Sequence, residues 1–281
     1  LFNGPLVNQG TINADVAGRT ITINFSGPFS NQGSLMASNG GTLAVSATNW
    51  TNSGTLFAGT GSRFDLDGSV PSGQLTGRLV STGGTFHITG TVQNAGGTFT
   101  VDATSGDVHL GSGGIINGGT VASAGGAQLI VDAGTLTGVT LDSDVTVGNN
   151  VTLTVNGGLT FANNHKLIMP AGPSSTLLSL TGGAQTIGGT GEIVFGGTGA
   201  ATNLIDHNMT AGAAVTIGPN VLVHSQPGGS NAQIRLFNGP LVNQGTINAD
   251  VAGRTITINF SGPFSNQGSL MASNGGTLAV S

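Results

Sequence analysis

Residues 8–45 read NQGTINADVAGRTITINFSGPFSNQGSLMASNGGTLAV. Two phrases occur twice in this stretch. Asn8-Gln-Gly-Thr-Ile returns as Asn31-Gln-Gly-Ser-Leu, 23 residues on, and Thr20-Ile-Thr-Ile returns as Thr42-Leu-Ala-Val, 22 residues on. Within each phrase apolar and polar residues alternate, the period-two signature of a short strand with one face buried. In Thr20–Ile23 the isoleucines are expected to point inward and the threonines outward.

The same steps continue along the chain. One apolar series runs Ile21/Ile23, Leu43/Val45, Phe64/Leu66, Phe86/Ile88, Val108/Leu110, Leu129/Val131 and Val151/Leu153, each pair 21 or 22 residues after the last. A second, of the form Gly-x-apolar, runs Ile12, Leu35, Leu56, Leu79, Phe99, Val121 and Leu141 at steps of 20 to 23. Two independent series advancing together describe a coil in which each turn stacks its apolar face on the one below. A hairpin sandwich has no reason to hold such a register, whereas parallel strands stacked about 4.8 Å apart do. The chain is therefore expected to be all-β, a right-handed parallel β-helix (β-solenoid) of about 21–22 residues per coil. Coils are regular to about residue 156 and looser over 157–235, where Gly-Pro and Pro-Gly pairs at 172–173, 218–219 and 227–228 lengthen the loops.

A longer repeat encloses the short one. Residues 236–281 reproduce residues 1–46 letter for letter, an offset of 235. Residues 1–235 are read as one full solenoid repeat and 236–281 as the start of the next identical one. About 11 coils fill one repeat, a rise of roughly 50 Å at that spacing. Perfect identity implies recent duplication or continuing homogenisation, so more than two copies are expected. Leu1 opens in mid-pattern, as in a stretch of a longer protein, and no targeting signal can be read from it.

Composition agrees with this reading. Of 281 residues 51 are Gly and 6% are charged, with one Glu (Glu192) and one Lys (Lys166). Glu and Lys dominate exposed helix faces, so their scarcity argues against helices. A hydrophobic fraction of 37% and positive mean hydropathy argue against disorder. The net charge of −5, with no basic cluster, disfavours nucleic acid as a partner. No apolar run approaches the roughly 20 residues of a membrane span. The absence of Cys excludes disulfide stapling.

Ahead of the Gly-x-apolar strands an asparagine recurs at Asn8, Asn31, Asn52, Asn94 and Asn117; the coil near Ser72-Gly73 lacks it. Asparagine tolerates turn geometry, and its amide can bond its equivalent one coil away. These five residues are read as a structural turn ladder in preference to a ligand site.

The Asn-Gln-Gly-Thr-Ile, Asn-Gln-Gly-Ser-Leu and Asn-Ser-Gly-Thr-Leu rungs, the Gly-Gly-Thr-apolar openings and the Val-Thr-Leu-Asp-Ser-Asp-Val-Thr-Val run at 139–147 resemble those of bacterial large tandem-repeat surface proteins. The similar groups are filamentous-haemagglutinin-type adhesins and autotransporter passengers, and the likeness is clearest over residues 4–160. It implies a right-handed parallel β-helix on the cell surface, and no particular receptor.

Few residues suggest chemistry. Catalysis on a β-helix needs clustered carboxylates, but Asp65/Asp67 and Asp142/Asp144 are expected three to four coils apart, and Arg19, Arg63, Arg78 and Arg235 are dispersed. Asp142/Asp144 would hold calcium weakly at best, since neither the Gly-rich nonapeptide nor an EF-hand loop is present. His87 and His109, 22 residues apart, should stack as outward neighbours; no third metal ligand is evident. Gly188-Gly-Thr-Gly resembles a phosphate loop but precedes no helix. The Asn-x-Ser/Thr triplets at Asn24, Asn49, Asn150 and Asn208 are expected by chance in such a composition. Thr20/Thr22, Thr98/Thr100 and Thr152/Thr154 share no rung position, which excludes a flat ice-binding array. No enzyme activity, cofactor or metal is expected.

The resulting expectation is an extracellular structural protein, its identical units stacked coaxially on copies of themselves into a filament, stalk or sheath on the cell surface. The alternative is an adhesin or carbohydrate-binding module using exposed Thr/Asn/Asp ladders, with cell-surface or host glycans as partners. Exposed aromatic rows would favour the alternative, and a single Trp, Trp50, with no Tyr offers little for them.

Overall fold

The computed structural model describes residues 4–198, 200–236 and 239–281. It is a parallel β-solenoid of about 12 turns with 57% of the chain in strands. Among the described residues the one helical segment is a 3₁₀ turn at Ser72–Gln74. The chain forms two compact units, one up to Ile130 and the other Val131–Ser281. The seam of the 235-residue repeat lies inside the second.

In the first unit each coil contributes three short strands. Leu6–Asn8 stacks on Phe29–Asn31 and that on Trp50–Asn52. Thr11–Ala14, Ser34–Ala37, Thr55–Ala58 and Leu79–Ser81 form a second face. Thr20–Ile23, Thr42–Val45, Arg63–Leu66, Thr85–Ile88 and Val108–Leu110 form the third. The alternation in the sequence is the alternation in space: Leu43, Val45, Phe64, Phe86 and Ile88 are fully buried while Thr42, Ala44, Asp65 and His87 face outward. Phe64 and Phe86 meet at a ring-centroid distance of 5.5 Å. Burying each such ring stabilises the coil by about 2–3 kcal/mol.

The glycines two residues after Asn31 and Asn52 have a steric cause. A Cβ on Gly54 would run into the carbonyl of Gly33, and one on Gly33 into that of Gly10. The backbones approach closely at these two positions, which leaves room only for glycine. The turn Asn39-Gly40 has φ of 50° and 78°, and the second copy repeats it at Asn274-Gly275 with 49° and 79°. Two left-handed residues in succession suit Asn-Gly.

In the second unit the strands lengthen, the longest being Thr152–Pro170. Register partners also draw apart in sequence: 22 residues at Thr20↔Thr42 in the first unit become 30 at Gln185↔Val215 and return to 22 at Thr255↔Thr277. The extra residues leave the apolar strand positions intact and enter loops such as 171–176 and 226–231. One expected pairing is corrected. Val151/Leu153 does not follow Leu129/Val131 in the stack, because the Val131 carbonyl accepts from Gly148 and so faces Val145–Val147. Leu153 instead pairs with Leu178. Two apolar pairs, Val145/Val147 and Val151/Leu153, follow each other closely there, and spacing alone selected the wrong one.

Candidate functional site: the asparagine ladder and the repeat seam

Asn8, Asn31 and Asn52 are all buried and form a continuous amide ladder. Asn8 Nδ2 donates to Asn31 Oδ1 at 2.7 Å, and Asn31 Nδ2 to Asn52 Oδ1 at 2.7 Å. Spare donor capacity goes to backbone: Asn8 to Ser34 O at 3.2 Å, Asn52 to Gly54 O at 3.2 Å. Low dielectric strengthens such a chain, and every unmet member costs more there. A glutamine ladder runs beside it on the outside, Gln9 Nε2 donating to Gln32 Oε1 at 3.1 Å.

In the coil without an asparagine, Gln74 takes over. Its Oε1 accepts from the Asn52 backbone N–H at 2.7 Å and its carbonyl from Asn52 Nδ2 at 2.9 Å. Gln74 escaped sequence reasoning, although its step of 22 from Asn52 was the signal that could have found it. Beyond it the side-chain ladder stops. Asn94 is 1% exposed but donates to two backbone carbonyls, Gly118 O at 3.0 Å and Thr120 O at 2.9 Å. Asn117 sits one position out of register, opposite Gln93, and donates to Gln93 Oε1 on the exposed side at 3.1 Å. The adjacent Gly118 and Gly119 both have positive φ and close the turn without a buried amide. Asn117 is thus outside the ladder. The second copy rebuilds it, Asn243 Nδ2 donating to Asn266 Oδ1 at 2.7 Å.

The second feature is a staircase of charged side chains on the outer face of the second unit. Lys166 Nζ lies 2.9 Å from Glu192 Oε2, on directly opposed residues. His224, two residues beyond the residue facing Glu192, places Nε2 3.2 Å from the same oxygen. His224 Nδ1 lies 2.9 Å from Asp250 Oδ2, again one diagonal step along, and the Ser225 N–H donates to Asp250 Oδ1 at 3.2 Å. Diagonal neighbours on adjacent strands are within reach of long side chains. Burial pushes the Glu192 carboxyl up, but hydrogen bonds and charge from Lys166 and His224 together outweigh it, holding the group below the usual carboxylate range. The staircase borders a groove of about 520 Å³ lined by Asp144, Lys166, His224, Gln226, Asp250 and Asn274 among others.

The other sequence candidates are placed as follows. Asp65 is bound by Arg63, Nε to Oδ1 at 2.6 Å; burial raises its carboxyl above the usual range, opposed by Arg63 and reinforced by Asp67. Asp142 accepts from Asn163 at 2.6 Å, and Asp144 meets His165 Nδ1 at 2.9 Å and the Lys166 N–H at 3.0 Å. Asp142 and Asp144 are thus engaged by donors from the next rung, and Asp65 by one on its own strand. His87 and His109 stack with ring centroids 4.7 Å apart and planes 21° apart. Arg78 reaches the Ser53 carbonyl, Arg235 pairs with Asp206 at 2.7 Å, and Arg19 is exposed. Asn24, Asn49, Asn150 and Asn208 are all exposed. Gly188–Gly191 lies within the strand Gln185–Gly196. Trp50 is 1% exposed, packs on Phe29 and donates from Nε1 to Asp67 O at 3.3 Å, so it belongs to the core. Among the described residues no helix is long and apolar enough to cross a membrane.

No family model matches the chain, and no curated protein matches it. A solved structure, a TibC-catalyzed hyper-glycosylated TibA55-350 fragment, is similar over 99% of this chain and 97% of its own, with 16% identity and a TM-score of 0.29. A likeness at that score carries no inference about function.

Proposed function

We propose that this chain is part of an extracellular structural protein whose identical 235-residue repeats stack end to end into a long, stiff filament, stalk or sheath at the cell surface. One observation carries the reading: where one repeat gives way to the next, the parallel ladder continues. Val215–Ile217 pairs with Leu241–Asn243, Leu222–His224 with Thr246–Asn248, and Ala232–Leu236 with Ile256–Phe260. An uncovered solenoid end presents unpaired strand edges that invite aggregation. A repeat that flows into its own copy covers that edge with the next coil. The engaged aspartates and the buried tryptophan agree with a scaffold, and we assign the chain no enzymatic role.

The reading is tested by negative-stain microscopy of the native assembly. Thin, uniform filaments with an axial repeat near the roughly 50 Å expected for one repeat support it. Discrete globular particles overturn it.

The second reading, an adhesin or carbohydrate-binding surface module, is favoured by the groove beside Lys166 and His224. Glycan-array binding that is lost when the groove residues are replaced would favour it over a purely mechanical role.

A further inference from the structure

Residues 4–46 and 239–281 are one sequence in two surroundings, and the difference isolates what a preceding repeat does to its successor. In the second copy Leu241, Ile247 and Ile256 are 1%, 0% and 0% exposed, beneath strands drawn from residues 215–236. In the first copy the equivalent Ile21 is 41% exposed, and Leu6 and Ile12 are partly so. The polar surroundings differ as well. Asp15 is exposed, whereas its equivalent Asp250 receives His224 Nδ1 on one oxygen and the Ser225 N–H on the other.

Apolar burial alone does not define how a repeat meets its successor. A slip along the strand by two residues keeps every side chain on its own face. At the seam the buried ladder cannot supply the missing register either, since Asn243 stands opposite Ile217 and its Oδ1 has no hydrogen-bond partner. The outer staircase does supply it. His224 reaches back to Glu192 of its own repeat and forward to Asp250 of the next, and Lys166 fixes Glu192 from the other side. All charged groups facing His224 on the packed strands are then accounted for: Glu192 one coil before, with Lys166 behind it, and Asp250 one coil after.

Resting on the stacked-repeat reading, we propose that His224 is the positioning residue of the repeat junction, and that its partner is the aspartate that opens every following copy, Asp15 in one repeat and Asp250 in the next. The Glu192–His224–Asp250 clasp selects the in-register seating of an incoming repeat. The 520 Å³ groove, to whose rim the following repeat contributes Asp250, Val251 and Asn274, is a product of that seating.

The test uses the full chain and its own internal control. Backbone hydrogen exchange is followed at Thr246–Ala249 and Thr255–Phe260 in Asp250→Asn, His224→Gln, their double variant, and Asp15→Asn. Loss of a charge-assisted contact should speed exchange at these amides by about tenfold in either single variant. The double variant should do no more than the singles, and Asp15→Asn should leave these amides unchanged. Equal behaviour of Asp250→Asn and Asp15→Asn, or additive effects in the double variant, overturns the clasp. The stacked-repeat reading fails separately, if the same amides exchange freely in the unaltered chain.

Discussion

Replacing Asn31 by Ala removes the central rung of the buried amide ladder and offers a sharp test of how the first unit is held together. Three contacts are lost: the 2.7 Å bond from Asn8, the 2.7 Å bond to Asn52, and a weaker 3.4 Å bond to Gly33 O. Asn8 keeps Ser34 O as acceptor, so its loss is partial. Asn52 Oδ1 is left buried without its donor, at a cost of about 1–3 kcal/mol, and each broken bond removes about 1 kcal/mol more. Counting the two 2.7 Å bonds, the local cost is thus about 3–5 kcal/mol, a factor of a few hundred to a few thousand in an opening equilibrium. Repeat proteins open locally, so a global melting temperature is the wrong observable. The assay is exchange protection at the Gln32, Gly33 and Ser53 amides, which bond to the carbonyls of Asn8 and Asn31. Asn117→Ala is the matched control, because its single side-chain bond is on the exposed face, and it should cost under about 1 kcal/mol. Equal losses of protection in the two variants would refute the ladder as a source of stability.

Three further outcomes are expected. Glu192 has a carboxyl pKa held below its unfolded value, so its contribution to stability is present above that unfolded value and is lost as pH falls through the depressed one. Protection around Ile193–Phe195 should therefore decline below about pH 4; an unchanged pH profile in Glu192→Gln refutes this. Asp65 is the opposite case: its pKa is raised by burial, so it disfavours the fold at neutral pH and ceases to do so on acidification. Asp65→Asn should therefore gain stability relative to the unaltered chain at pH 7 but not at pH 3, as read by denaturant unfolding; a gain equal at both pH values counts against the account. Phe86→Ala opens a cavity beside Phe64 and should cost about 3–5 kcal/mol, whereas His87→Ala on the same strand, facing outward, should cost under about 1 kcal/mol.

The coil was legible in the sequence because a parallel solenoid imposes two local constraints on every turn. Period-two alternation places Leu43, Phe64 and Phe86 inside, and close backbone approach requires glycine at Gly33 and Gly54, two residues after Asn31 and Asn52. Both are written in adjacent residues and recur at each coil, so position 1–46 predicts position 236–281 without coordinates. Where loops absorb extra residues that recurrence fails, and the Val145/Val147 strand was passed over for Val151/Leu153.

The sites followed the same division. Asn8, Asn31 and Asn52 were found because their steps equal the coil, and Gln74 was missed because a different residue type fills the same step. Asn117 carries the right motif yet lies one residue out of register, a shift that only Gly118 and Gly119 in the folded chain decide. The clasp at the seam had no sequence signature. Glu192, His224 and Asp250 are separated by 32 and 26 residues, steps that match neither each other nor the 22-residue coil. By itself the sequence determined the fold, the coil length and the repeat, because these depend on residues a few positions or one coil apart. The tertiary structure decided which charges meet across the seam, because that depends on how much chain each loop takes up before the strands resume their stack.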